Sequence, residues 1–331
     1  MGKTRYMDLR HNAPMTRIPP LLVGPVFALI AVTLFSLNDV AMKSLSGGYA
    51  LHEVVLIRSL IGMGVVLLIM IPMAGGFATI KTRRPVMHLI RAGFIVFANM
   101  SFFMGLAELD VATAVALFFI SPALITISST VFLGETVGPR RWTAVLIGLL
   151  GVLVILRPGT EAFTPAALYS IAGAAGYAGL HVMTRLMRGT ESAVSMVFYI
   201  QIVFIIVGAA MWLLVGDGRF DTGANASMSF LLRAWVWPTG FDFIVMIILG
   251  FFASIGGYCI SQAYRLSEAA LVAPFEYLAL PLGIVLGIVV FGEWPDAVVW
   301  IGIVMIMGSG LYSVWRENQI NAPIRERPVR R

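Results

Sequence analysis

The chain has 331 residues, 59% of them hydrophobic and only 12% charged, with a mean hydropathy of +0.90 and a formal net charge of +6. One water-soluble core of this length cannot cover that much apolar surface, so the composition excludes an ordinary soluble domain and points to a bilayer. A single cysteine, Cys259, excludes an intrachain disulfide and a cysteine-rich metal site, and no cofactor motif is found.

A membrane-spanning helix needs about 20 largely apolar residues. Runs of that kind are predicted at 22–44, 51–73, 88–107, 112–133, 141–157, 165–185, 194–215, 241–263, 269–292 and 297–315. The predicted fold class is therefore all-α integral membrane, with ten transmembrane helices. The first run follows Lys3, Arg5, Arg10 and Arg17, but it is too long for a signal-peptide core and lacks a small-residue cleavage site, so it is read as retained. Near its outer end stand Asn38 and Lys43. The second run opens on His52 and Glu53, which places a Lys43–Glu53 interaction at the external mouth as one expected arrangement. Its HEVVL stretch lacks the second histidine of a zinc motif.

Small residues let helix backbones approach in lipid, and Gly148, Gly151, Gly173, Gly176, Gly283, Gly287, Gly308 and Gly310 are expected to serve that packing. The longest connection, 216–240, carries Trp235 and Trp237, residues suited to a membrane–water interface. Its Asn225-Ala-Ser triplet fits the glycosylation pattern formally and is given no weight. Most of the 23 Lys and Arg residues fall on the side of the N-terminus, while Lys43, Arg157, Arg219 and Arg233 fall opposite. Positive charge marks the cytoplasmic side, so both termini are expected there, in a plasma membrane or bacterial inner membrane. The spread of these charges over connections and ends, instead of one basic face, argues against nucleic acid as a partner despite a pI of about 9.7.

The two halves echo each other in LAELDVATAVALFFISPALITISSTVFLGE (106–135) and YRLSEAALVAPFEYLALPLGIVLGIVVFGE (264–293). Each runs from a charged connection through Ala-rich sequence and an intramembrane proline, Pro122 or Pro281, to a closing Gly-Glu. The proline spacing differs by one residue. Five runs per half make equivalent helices cross in opposite directions, so the expected organisation is two inverted five-helix repeats at 22–157 and 165–315, between a cytoplasmic segment 1–21 and a tail 316–331. Inverted repeats with a midplane site recur in secondary transporters.

Asn38 with Lys43, Arg58, Pro122, Gly134-Glu135 and Gly292-Glu293, set on ten apolar runs, resemble the EamA family of the drug/metabolite transporter superfamily. The resemblance covers both halves. It implies a ten-helix carrier with a central cavity that moves small organic solutes by alternating access, with metabolites such as amino-acid derivatives, nucleoside-like compounds or vitamins as cargo. The Gly-Glu pairs, at helix ends, are expected to stop or cap helices.

Ionisable residues inside a span are costly and face protein or a cavity. Glu276 and Tyr277 lie between Pro274 and Pro281, which each remove a backbone donor and loosen the ninth helix. Two readings stay open for Glu276: a hydrogen-bonded carboxyl that organises this helix, or a contact to cargo or a transported proton. Arg58 lies at a similar depth from the opposite face, about 10 Å from Glu276 along the membrane normal in a core of ~30 Å, so a direct ion pair is not expected. It reads either as an anchor to water and carbonyls or as a partner for an anionic or carbonyl-bearing solute. Tyr177 with His181, and Tyr258 with Gln262, are four apart and share a helix face; facing a cavity, such pairs stack on and hydrogen-bond a flat polar solute. Other polar groups in the spans, including Asp39, Asn99, Ser101, Tyr199 and Gln201, are expected to satisfy one another. The candidate binding or coupling set is thus Glu276, Tyr277, Arg58, Asn38, Tyr177, His181, Tyr258 and Gln262.

The expected function is secondary transport of a small organic metabolite, with riboflavin a first trial and nucleoside- or amino-acid-derived solutes beside it. Partners are the solute and the lipid bilayer, with a homodimer left open. An intramembrane enzyme on a lipid-linked substrate, which would need a clustered acid/base or metal constellation, and a non-transporting adaptor are the alternatives from other classes.

Overall fold

The computed structural model describes residues 20–134, 138–160, 163–187, 190–266, 272 and 275–320. The basic residues Lys3 to Arg17, Glu135, Arg188, Pro274 and the tail after Ile320 lie outside the described residues. Regular structure among the described residues is helical. In chain order it comprises α1 (Pro20–Ser46), α2 (Leu51–Val65, continued by a π-turn Val66–Met70 and Ile71–Met73), α3 (Pro85–Leu106), α4 (Val111–Phe118), α5 (Ser121–Leu133) and α6 (Pro139–Leu156). The second half follows with α7 (Ala166–Leu186), α8 (Ala193–Val215), the short α9 (Ala226–Leu232), α10 (Gly240–Leu266), α11 (Ala279–Leu286, continued by a π-turn Gly287–Phe291) and α12 (Ala297–Ile320).

The sequence punctuates these helices in a physically legible way. Pro85 and Pro139 stand at helix starts, where a missing N–H costs nothing. Ser192 caps α8 by accepting from the Ser195 N–H at 3.0 Å, and Asn225 caps α9 by accepting from Met228 at 2.8 Å. Gly134 and Gly292 end α5 and the π-turn after α11 with left-handed φ of 66° and 69°, the conformation glycine adopts without strain.

Among the described residues, six stretches are long and apolar enough to cross a membrane: Val23–Ser46, Leu51–Met73, Pro85–Leu106, Val111–Leu133, Ala193–Val215 and Gly240–Ala263. Trp142–Leu156, Ala279–Phe291 and Ala297–Tyr312 are shorter apolar helices. The predicted sixth span is also helical, as α7, but Tyr177, His181, Thr184 and Arg185 make it more polar. Apart from the ninth, whose α11 begins at Ala279 against a predicted start at 269, these helices sit within a few residues of their predicted positions, and the molecule is an all-helical membrane protein.

Two of them are interrupted. The fourth predicted span, read as continuous, breaks at the Phe119–Ile120 turn between α4 and α5, and the ninth breaks at Tyr277–Leu278 just before α11. Pro281 has no N–H for the carbonyl of Tyr277 four residues earlier, and that carbonyl instead accepts from Leu280 N at 3.2 Å. Pro122 stands in the same relation to Phe118.

Helix packing runs α1 on α10, α3 on α7, α6 on α12, and α2 on α8 and α10. Glycines make the close approaches: a Cβ on Gly173 would lie 2.9 Å from the Ala98 carbonyl of α3, and one on Gly176 3.0 Å from that of Phe94. Gly151 of α6 and Gly302 of α12 form a matched pair, a Cβ on Gly302 falling 2.8 Å from the Gly151 carbonyl. Gly308, expected to pack, has open space where its Cβ would be. Replacing Gly302 by Val is therefore expected to lower the thermal midpoint in detergent, a loss of ~1–3 kcal/mol for overpacking, while Gly308→Ala leaves it unchanged or higher.

Candidate functional site

The two interruptions meet inside the protein. The rings of Phe119 and Tyr277, one at each break, stand with centroids 5.3 Å apart. Phe118 packs on Tyr177 of α7 at 5.3 Å, and Tyr177 on His181 one turn further along at 4.6 Å, edge to face. Glu276 immediately precedes Tyr277 at the second break. Counting at ~1.5 Å per residue, the α4 break lies about 12 Å below the Val111 end. The second break lies beside it, at the Phe119–Tyr277 contact.

This arrangement gathers four of the predicted residues, Glu276, Tyr277, Tyr177 and His181, at one partly buried ring cluster. It also contains residues the sequence reading missed. Phe118 and Phe119 looked like ordinary apolar sequence; the available signal was position, since Tyr277–Leu278 follows Phe119–Ile120 by 158 residues, the spacing that also separates Gly134 from Gly292. Arg91, read as a cytoplasmic basic residue, is buried, donates from Nε to Thr184 Oγ1 at 2.8 Å, and places its charge near Tyr177 and His181. Arg185 adds a second cation near His181 and donates to Ser129 Oγ at 3.0 Å.

Arg58 and Asn38 form a separate buried polar group. The Arg58 guanidinium lies between the Phe103 and Phe204 rings, 5.2 and 5.1 Å from their centroids, and donates to Asn99 Oδ1 at 3.1 Å. Asn38 donates to Asp39 Oδ1 at 3.4 Å. A ring contact sequence links this group to the ring cluster: Phe103 to Phe102 at 5.7 Å, Phe102 to Phe118 at 5.0 Å, then Tyr177. Tyr258 and Gln262 stand apart from it. They bond each other at 2.7 Å, and Tyr258 packs on the Val65, Val66, Met70, Ile71, Val194 and Val197 cluster.

At the Val111 end of α4 the predicted Lys43–Glu53 interaction is replaced by a different one. Lys43 pairs with Glu293 and donates to the Leu109 carbonyl at 2.6 Å, and Glu293 Oε2 accepts from the Val111 N–H at 3.0 Å. Glu53 is fully buried in the first turn of α2, under the 233–239 segment, and accepts from Val236 N at 3.2 Å instead. The Gly-Glu expectation thus divides: Gly292 ends its helix, while Glu293 caps α4 of the other half. A cleft of about 190 Å³ opens beside this clasp, lined in part by Glu108, Asp110, Arg157, Thr164 and Asp296. Arg157 grips the Asp296 carboxylate and holds it below the usual carboxylate range. Burial, with the nearby Glu293 charge, pushes Asp110 up.

The comparisons agree with this architecture. Residues 22–157 match the EamA-like transporter family. The chain is 28% identical, over 90% of its length and 94% of the relative's, to an S-adenosylmethionine uptake transporter of Rickettsia felis. It is 29% identical, over 73% of its length and 74% of the relative's, to a riboflavin transporter of Rhizobium johnstonii. A solved crystal structure shares the fold with a TM-score of 0.62 at 20% identity, covering 93% of this chain and 100% of that one. The first half of the chain thus resembles the EamA-like transporters, and the relatives that match over most of its length are small-metabolite transporters. The protein is a small-metabolite carrier, not an enzyme.

Two stability tests follow. A double-mutant cycle of Lys43→Met and Glu293→Gln, read as thermal midpoints in detergent, is expected to return a coupling of about 1 kcal/mol or more; additive midpoints would leave the clasp without energetic content. For Asp110, a raised folded-state pKa makes its charge unfavourable in the native protein. That penalty is absent below the unfolded value of 3.8 and grows as pH rises through the folded one. Asp110→Asn should raise the midpoint at pH 7 and match wild type at the acid end.

Proposed function

We propose that this protein is a ten-span secondary carrier of two inverted five-helix repeats, 22–157 and 165–315, in a bacterial inner membrane with both termini cytoplasmic. It moves a flat heteroaromatic metabolite by alternating access. The supporting observation is the meeting of two proline-interrupted helices, one from each half, around Phe118, Phe119, Tyr177, His181 and Tyr277. Helix breaks at the repeat interface, shielded from lipid, are where transporters of inverted-repeat design hold their solutes.

The chemistry of the pocket suits a planar ring system with polar edges. Offset and edge-on ring contacts contribute about 0.5–1.5 kcal/mol each beyond their buried area, and Tyr177, His181, Tyr277 and Glu276 supply hydrogen-bonding edges around those faces. The isoalloxazine of riboflavin and the adenine of S-adenosylmethionine both meet that description, and these are the solutes carried by the relatives' names. Glu276 is then the group placed to bind solute or hand over a proton as the two breaks part. Movement is driven by a solute or ion gradient, since the chain carries no nucleotide-binding loop.

Proteoliposomes carrying the wild type, Glu276→Gln or Tyr177→Ala should be offered labelled riboflavin, S-adenosylmethionine, nucleosides and amino acids, with and without an imposed pH gradient. One ring-bearing solute is expected to move, with its KM raised several-fold by Tyr177→Ala and its response to the pH gradient lost in Glu276→Gln. Flux indifferent to both substitutions would remove the pocket from the transport path.

A further inference from the structure

The Arg58 group is chemically incomplete in a way that specifies a guest. A guanidinium carries five N–H donors in a planar fork and never gives up its charge, yet Arg58, 3% exposed, has one hydrogen-bond acceptor among the described residues, the neutral Asn99 Oδ1. The flanking Phe103 and Phe204 rings stabilise the cation but accept none of the remaining in-plane donors. A carboxyl group stands near. Asp39, on α1, lies at the same depth, but the two are not within the 4.0 Å of an ion pair. Asp39 receives only a long 3.4 Å bond from Asn38. Asn38, itself 5% exposed, keeps its carbonyl oxygen buried with no donor.

Geometry brings these groups to one level. Asp39 is seven residues from the Ser46 end of α1, and Arg58 seven from the Leu51 start of α2, which puts both about 10 Å below those helix ends. A cation lacking an anion, a carboxyl group lacking a close cation, and an orphaned acceptor beside it form the negative image of a zwitterion. We propose that this group binds the α-amino-acid head of the transported solute: Arg58 takes the carboxylate in a bidentate grip, and Asp39 with Asn38 Oδ1 takes the ammonium. The Phe103–Phe102–Phe118–Tyr177 ring sequence then leads the solute's body to the pocket at the helix breaks. The inference rests on the carrier reading above and narrows its substrate class to a flat ring system bearing an amino-acid head, which S-adenosylmethionine has and riboflavin lacks.

The test is competition against labelled S-adenosylmethionine uptake in proteoliposomes of the full chain. The competitors are unlabelled S-adenosylmethionine, its decarboxylated form, and 5′-methylthioadenosine, which keeps the ring and lacks the head. Wild type is expected to prefer S-adenosylmethionine at least tenfold over each truncated compound. Arg58→Gln should erase the preference over the decarboxylated form while leaving the inhibition constant of 5′-methylthioadenosine within twofold, and Arg58→Lys should restore part of it. Asp39→Asn should lower the affinity for the decarboxylated compound, which retains its ammonium. Equal potency of all three on wild type, or an Arg58→Gln protein that elutes and melts as folded and still discriminates, would overturn the assignment. Should Arg58→Gln not fold, the wild-type series and Arg58→Lys decide. The two readings fail differently: uptake of riboflavin alone, or displacement governed by the ring alone and lost in Tyr177→Ala, sinks the head-group assignment and keeps the pocket. If no solute is carried or displaces label, the carrier reading falls with it.

Discussion

A proline inside a spanning helix leaves the carbonyl four residues back without its donor, and hydrocarbon offers no water in exchange. Pro122 and Pro281 impose this on Phe118 and Tyr277, and the rest of the site depends on how the chain absorbs it. At the second break the stranded carbonyl turns to Leu280 N in a tighter turn. Such irregular backbone is tolerated only where protein or a cavity shields it from lipid, so the two breaks lie against each other, with Phe119 stacked on Tyr277. The one-residue difference in proline spacing does not disturb the match. Each proline sits in the first turn of the helix that restarts after the break, where its N–H is not required.

The Lys43–Glu293 clasp solves a second shortage of hydrogen bonds. The first N–H groups of any helix have no partner within it, and in α4 the carboxylate of Glu293 supplies one, aided by the positive end of the helix dipole. Glu293 reaches that point because Gly292 turns the chain in the left-handed region, with the Glu293 N–H closing back on the Gly287 carbonyl at 3.2 Å. Beneath it, Gly283 and Gly287 leave room for Val115 and Val111. The predicted packing role of these two glycines is thus to seat α4 from the other half of the chain.

Two buried arginines, Arg58 and Arg91, and the exposed Arg185 are handled in different ways. Arg58 is held between rings, Arg91 bonds a threonine hydroxyl and Arg185 a serine hydroxyl. Interior positive charge of this kind is costly in hydrocarbon and raises the local attraction for anionic groups. At the breaks, Glu276 and the polar ring edges of Tyr177 and His181 lie in the same part of the interior.

The sequence by itself determined the membrane class, the positions of most helices to within a few residues, the resemblance to EamA-like carriers and the pairing of Tyr177 with His181 and Tyr258 with Gln262, because hydropathy and helical spacing are local properties. It also pointed to the loosened ninth helix, through its prolines. Tertiary structure alone decided which of these residues share a site. Lys43 took Glu293 instead of the nearby Glu53, Arg91 left the aqueous side for the interior, and Phe118 and Phe119 joined the ring cluster, whereas Tyr258 and Gln262 packed elsewhere. The physical reason is that partner choice in a helical membrane protein is set by which faces small residues allow to approach, across separations of more than a hundred residues, and no local pattern of apolar and polar residues encodes that distance.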